Sequence, residues 1–209
     1  RHETPVADVA FRSGYESLSG FGDGFKKTIG SAPGNSSEQR VIAVTRLLTP
    51  LGPMLAGATE DGICLLEFTD RPMLETQINR LHKRMNAKSL PGSSPFFAKL
   101  AEQLDEYFSG KRMRFDVPIT TPGTEFQQKV WSELREIPFG ITRSYAEQAK
   151  RIGQPAAVRA VARANGDNRI AILIPCHRVI GSDGKLTGYG GGLWRKQKLL
   201  EIEGVESRS

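Results

Sequence analysis

The sequence predicts a mixed α/β protein, a small α/β lobe followed by a mostly helical one. Three observations carry that prediction. Between positions 41 and 68 the apolar residues come in short runs (41–44, 51–58 and 63–68), and Glu60-Asp61-Gly62 between the last two is a hairpin turn signal. Helical spacing takes over at 73–85 and again at 95–108, closed by Ser109-Gly110. From Thr124 onward, short helical segments alternate with turns containing Gly and Pro.

A chain of 209 residues can hold one large domain or two modest ones, and 38% apolar residues supply a core for either. No apolar run is long enough to span a bilayer, and no basic start leads into an apolar stretch of the signal-peptide kind. Without an export signal the two cysteines, Cys64 and Cys176, are expected to be reduced thiols in the cytoplasm. Cys64 lies among Ile and Leu and reads as a core residue. Three histidines and two separated cysteines offer no paired ligand spacing, so no metal site is expected. The net charge of +6 favours a polyanionic partner.

Residues 4–34 read as a small helical unit. Thr4-Pro5 suits the N-cap and first position of a helix through Val6, Val9, Ala10 and Phe11. A turn at Ser13-Gly14 follows, then Leu18, Phe21 and Phe25 at helical spacing, with Gly30 and Pro33-Gly34 as terminators. This is a helix-turn-helix outline. Asp8-Val9-Ala10-Phe11, Gly14-Tyr15-Glu16-Ser17 and Phe25-Lys26-Lys27 resemble the second helix-turn-helix of AraC-type transcriptional regulators. Gly20, Gly22, Asp23 and Gly24 fall in what would be its recognition helix. There each interior glycine costs about 1 kcal/mol, and Asp23 repels phosphate. The segment reads as truncated or vestigial regulator sequence, giving domains at 1–35, 36–120 and 121–209.

Within the α/β lobe, residues 115–119 are expected to return as an edge strand, where Pro118 is tolerated. In the helical lobe, Thr124 caps a helix through Phe126, Val130, Trp131 and Leu134, and Ser144 caps one over 145–152. Ile152-Gly153-Gln154-Pro155 leads into a third, from Ala156 to about Ala164, with Arg159 and Arg163 at i, i+4 on one face. That is a second helix-turn-helix outline. A last helix, Leu193–Ile202, follows a Gly-rich loop at 188–192.

The sharpest feature is Ile174-Pro175-Cys176-His177-Arg178-Val179. An apolar run ends at a proline, which lacks an N–H and fixes its φ, so a cysteine and a histidine are presented at a bend. Thiolate is the nucleophilic form of cysteine, and a nearby base can generate it. Adjacent residues of a strand point opposite ways, so His177 could serve Cys176 only in a turn or through a bridging water. Taken alone, the dipeptide also fits a buried small hydrophobe beside a surface histidine.

The hexapeptide does not stand alone. With Gly123-Thr124-Glu125-Phe126-Gln127, Val130-Trp131, Ser144-Tyr145, residues 157–161, Asn168, Gly188-Tyr189, Gly191-Gly192-Leu193 and Glu203-Gly204, it resembles a known set of motifs in their order. These are the motifs of the methylated-DNA–protein-cysteine methyltransferases, or O6-alkylguanine-DNA alkyltransferases. The resemblance covers roughly residues 40–205 and implies a ribonuclease H-like first lobe and a winged-helix-like, DNA-binding second lobe. It implies that Cys176 accepts the alkyl group from O6-alkylguanine, and from O4-alkylthymine, in double-stranded DNA. His177 would be its base through a water, and Glu203 would orient His177. Asn168 would link the recognition-helix loop to the active-site segment, and Tyr145 would assist rotation of the nucleotide. Arg159 would occupy the space of the extruded base, with Arg163 beside it on the DNA-binding face. Tyr189, Gly190 and Gly191 would wall the pocket, the glycines allowing close approach. A monomeric chain with no cofactor and no membrane partner, each molecule spent on one lesion, completes the expectation.

Overall fold

The computed structural model describes residues 39–205, which fall into two compact units. The helix-turn-helix expected over 4–34 lies outside the described residues. Among the described residues no helix is long and apolar enough to cross a membrane.

The first unit runs through Asp105 and includes Asp116–Pro122. Strands β1 (Arg40–Thr49), β2 (Gly52–Thr59) and β3 (Gly62–Phe68) form an antiparallel meander. Every residue of β3 is buried, so both of its faces are covered. The chain crosses through α1 (Leu74–Met85) and returns as β4 (Ala87–Pro91), parallel to β1, giving the sheet order β3-β2-β1-β4. Leu74, Ile78 and Leu81 recur on one face of α1 and share an apolar cluster with Ile42, Val44, Leu55 and Leu65. Cys64 belongs to that cluster and is fully buried, as its apolar setting predicts.

Two features of this unit depart from expectation. β4 carries one large apolar residue, Leu90, so its sequence lacks strand periodicity, and its pairing comes from the edge that β1 offers. The edge strand expected at 115–119 does not form. Only Ile119 bridges to Ile63, with the Ile63 N–H donating to Pro118 O at 2.9 Å and the Thr120 N–H to Ile63 O at 2.8 Å. Pro118 has no N–H to extend a ladder, and the Asp116 N–H is turned to Gln103 Oε1 at 3.1 Å.

The second unit takes Glu106–Phe115, beginning in the last turn of α2 (Pro95–Phe108), and the chain from Gly123 onward. Thr124 opens α3 (Glu125–Arg135) with a capping box: its Oγ1 accepts the Gln127 N–H at 3.2 Å, while Gln127 Oε1 accepts the Thr124 N–H at 3.0 Å. Ser144 and Glu147 repeat the device at the start of α4 (Tyr145–Arg151). A 3-10 turn at Pro155–Ala157 precedes α5 (Val158–Gly166), so that helix starts two residues later than the periodicity suggests. Helices α3, α4 and α5 are tied by polar clamps. Trp131 Nε1 donates to Ala164 O at 2.9 Å, and the buried Gln148 and Asn165 exchange side-chain bonds at 3.2 and 2.8 Å. Strand β5 (Arg143–Ser144) pairs in parallel with β6 (Val179–Ile180), and α6 (Leu193–Ile202) closes the unit.

Gly123 is fixed by space. A Cβ there would lie 2.5 Å from Cζ3 of Trp131, a ring already anchored to Ala164. Gly123→Ala should cost about 1–3 kcal/mol through overpacking, read as a lower urea midpoint. An unchanged midpoint would show that the Trp131 ring shifts freely.

Candidate active site

The apolar run before Cys176 is a chain of tight turns, not a strand. The Leu173 N–H donates to Ala171 O at 2.9 Å around Ile172, whose φ is +72°. A β-branched residue in that region costs about 1–3 kcal/mol, and the surrounding burial sustains it. The Cys176 N–H then donates to Ile174 O at 2.8 Å around Pro175 (φ −80°, ψ 61°), an inverse γ-turn. A 3-10 turn over Cys176–Arg178 leads into β6. The bend at Pro175 follows from the sequence; the strain at Ile172 leaves no signal there.

Asn168, just past α5, spans both turns. Its Nδ2 donates to Ile174 O at 2.9 Å and to Cys176 Sγ at 3.2 Å, while its Oδ1 accepts the Ile170 N–H at 3.0 Å. From Ile170 to Val179 every residue is buried except Cys176. The fold therefore hides the rest of the loop and leaves Cys176 partly exposed.

His177 is fully buried, and its Nε2 lies 2.7 Å from Glu203 Oε1. A carboxylate at that nitrogen fixes the proton there and leaves Nδ1 as an acceptor. Nδ1 has no hydrogen-bond partner among the described residues. Glu203, the C-cap of α6, collects further donors: Tyr107 Oη (2.8 Å), Arg178 Nε (2.8 Å) and Nη2 (3.0 Å), and the Gly140 N–H (3.2 Å). Burial pushes the His177 pKa down, Glu203 pulls it back in part, and Arg178 and Lys196 depress it further. For Glu203, burial acts upward, but the bonds and charges of His177 and Arg178 win and bring the carboxyl to about 2. The histidine is thus held neutral against an anion.

Tyr145 begins α4 and is brought beside this loop by the pairing of Ser144 with Ile180. Its hydroxyl donates to Thr187 O at 3.1 Å and lies 3.4 Å from Gly188 O; burial raises its pKa. The same two carbonyls, with Val179 O, accept from Lys196 Nζ at 2.6, 3.3 and 2.5 Å. Lys196 is fully buried; burial lowers its ammonium to about 8, and attraction to Cys176 opposes that fall. It is absent from the sequence expectation because a helical lysine reads as solvated. Its spacing held a signal, since Leu199 and Leu200 at i+3 and i+4 place it on the buried face. Arg178 and Tyr107 are the other site residues missed.

The remaining predicted residues lie on the rim and on α5. Tyr189 and Gly190 are partly buried on the 188–192 loop, and the buried Gly191 accepts from Arg195 Nη1 at 2.9 Å. On α5, Val161, Ala164 and Asn165 face inward, while Arg159, Ala160, Ala162 and Arg163 are exposed. The arginines take no part in the hydrogen bonds around Cys176; they stand on a basic face of small residues.

Residues 125–205 match the family model of the 6-O-methylguanine DNA methyltransferase DNA binding domain, and residues 43–121 that of its ribonuclease-like domain. A methylated-DNA–protein-cysteine methyltransferase of Methanosarcina acetivorans is 45% identical over 156 residues, covering 75% of this chain and 94% of that protein. The crystal structure of Mycobacterium tuberculosis O6-methylguanine methyltransferase superposes with a TM-score of 0.66 at 43% identity, over 78% of this chain and 92% of that one. A structure of Mycobacterium tuberculosis OGT in complex with DNA gives 0.65 at 42% identity, with the same coverage.

Proposed function

The chain belongs to the methylated-DNA–protein-cysteine methyltransferase family, and on that premise we propose that it repairs DNA by moving the alkyl group of O6-alkylguanine onto Cys176. One observation carries the assignment of the acceptor: in a turn where every other residue is buried, Cys176 alone keeps partial exposure. The Glu203–His177 pair beside it supports the activation step. His177 Nδ1 takes the thiol proton through a water, and Glu203 stabilises the imidazolium that results. The Lys196 ammonium and the Asn168 amide favour the thiolate.

The thiolate attacks the alkyl carbon on O6. A C–S bond forms and the C–O bond breaks; its electron pair stays with the guanine, which takes up one proton and remains in the DNA. None of the acids and bases around Cys176 cleaves a thioether, so each molecule acts once. O4-alkylthymine presents the same O-alkyl carbon and is the second substrate of this reading.

O6 lies inside the base stack, and reaching it requires flipping the nucleotide at a cost of a few kcal/mol. The exposed face of α5 suits such an extrusion. Ala160 and Ala162 allow close approach, Arg159 enters the duplex and Arg163 meets the backbone. Tyr145 assists the rotation, and Tyr189, Gly190 and Gly191 form the pocket wall. The partner is double-stranded DNA and the protein works as a cytoplasmic monomer with no cofactor. Domains at 36–120 and 121–209 carry the reaction; the AraC-like residues 1–35 precede both family matches and are not needed for it.

Incubation with an excess of duplex containing O6-methylguanine should add one methyl group per chain, located on the Cys176 peptide by mass spectrometry. Cys176→Ala should transfer none. Unmodified Cys176, with the methyl group retained in the DNA, would overturn the assignment.

A further inference from the structure

The Glu203 carboxylate receives more donors than the orientation of one histidine requires. Oε1 accepts from Tyr107 Oη at 2.8 Å, His177 Nε2 at 2.7 Å and Arg178 Nη2 at 3.0 Å; Oε2 takes Arg178 Nε and the Gly140 N–H. Arg178 supplies the charge that makes a buried carboxylate tolerable, and its own Nη1 is satisfied by Ile137 O at 2.5 Å. Tyr107 is uncharged, and its hydroxyl meets the same oxygen that holds the histidine.

Tyr107 comes from the last turn of α2 and is fully buried. Its ring is fixed by Phe108 and Phe115, both with centroids at 5.4 Å, and by Phe139 at 6.1 Å. Phenylalanine would fill that apolar surround equally well. What tyrosine adds is one O–H, delivered to Oε1.

Building on the alkyl-transfer reading, we propose that Tyr107 is a positioning residue that sets the basicity of His177 by sharing Glu203 Oε1 with it. Donors that share one oxygen compete: the density drawn by the phenol, as by Arg178 Nη2, is withheld from the imidazole N–H. A carboxylate short of donors favours imidazolium, and a saturated one leaves the ring neutral. The charged groups facing His177 are Glu203 and Lys196 from α6 and Arg178 from its own turn, with Cys176 preceding it. Among Glu203, Arg178 and Lys196, Glu203 alone favours protonation, and Tyr107 tempers it. Burial and the neighbouring Glu203 charge hold the phenol protonated far above its ordinary range, so it acts as a constant donor across working pH.

The test uses the full chain with labelled histidine, titrated by NMR. Tyr107→Phe should raise the His177 pKa by about half a unit to one unit, and the acid limb of methyl transfer should move to higher pH by the same amount. Phe115→Leu, which loosens the packing without touching Glu203, should leave both where they are. In the wild-type chain, carbon-13 signals of the Tyr107 ring should shift with the His177 midpoint, a readout that needs no variant to fold. An unmoved His177 titration in Tyr107→Phe, or ring signals blind to His177, overturns the proposal even if Cys176 is methylated normally. Absence of methylation in the wild type would instead defeat the alkyl-transfer reading and leave the titration result standing.

Discussion

Glu203→Gln is expected to cost about 3–5 kcal/mol of stability and to slow methyl transfer by about 10²-fold or more. The stability loss comes from Arg178. Its guanidinium is buried, and two of its three nitrogens are satisfied by the Glu203 carboxylate. A neutral amide turns one of those acceptors into a donor facing a cation. The rate loss comes from His177, which keeps its burial but loses the anion that stabilises its protonated form. Urea unfolding measures the first effect, and quenched single-turnover transfer on folded protein the second. A midpoint within experimental scatter of wild type would show that Arg178 finds another partner.

The same carboxylate shapes the acid limb of stability. Glu203 ionises at about 2 when folded against an ordinary value of 4.5, so its contribution is complete above pH 4.5 and is lost as pH falls toward 2. His177, depressed below 6.5 when folded, binds its proton first in the unfolded chain and draws stability down as pH falls below 6.5. Both act in one direction. Wild-type stability should decline from pH 6.5 downward, and Glu203→Gln should lose the part of that slope below 4.5.

Local rules made much of the framework legible. Thr124 and Ser144 cap helices because their side chains answer N–H groups three residues on, a signal that needs no tertiary context. The hairpin strands follow from apolar runs on either side of a turn signal, and the α1 stripe from helical spacing. Cys176 and His177 were visible as residue types at a proline bend. The environment that gives them chemistry was not. Lys196 and Arg178 are buried cations, tolerable only because carbonyls and a carboxylate from elsewhere in the chain meet them. Tyr107 and Glu203 stand 96 residues apart, and no local pattern encodes that pairing. The positive φ of Ile172 contradicts its own conformational preference and exists because the loop around it is over-determined. Residues 115–119 looked like a strand by composition, yet a proline and the Gln103–Asp116 bond limit them to one bridge.

Asn168→Ala attacks that over-determination directly. The side chain joins Ile170, Ile174 and Cys176 with three hydrogen bonds, two of them to buried backbone groups. Losing them leaves a buried N–H without its acceptor, at about 1–3 kcal/mol per unsatisfied group. It also removes the clamp that holds Ile172 at φ +72°, so the turn should relax toward an unstrained path and carry Cys176 with it. A total loss of about 2–4 kcal/mol is expected, with transfer slowed by about 10–100-fold, because a displacement near 1 Å at a reacting atom is enough for that. Amide exchange at Ile174 and Cys176 should accelerate more than at Val161, in the middle of α5. Asn168→Asp separates the two roles. It keeps the acceptor for the Ile170 N–H but withdraws both donors and sets a negative charge beside the thiol, so stability should recover in part while transfer falls further. If Asp restored transfer as well as stability, the Asn168 amide would have no part in favouring the thiolate, and its contribution would be confined to the shape of the loop.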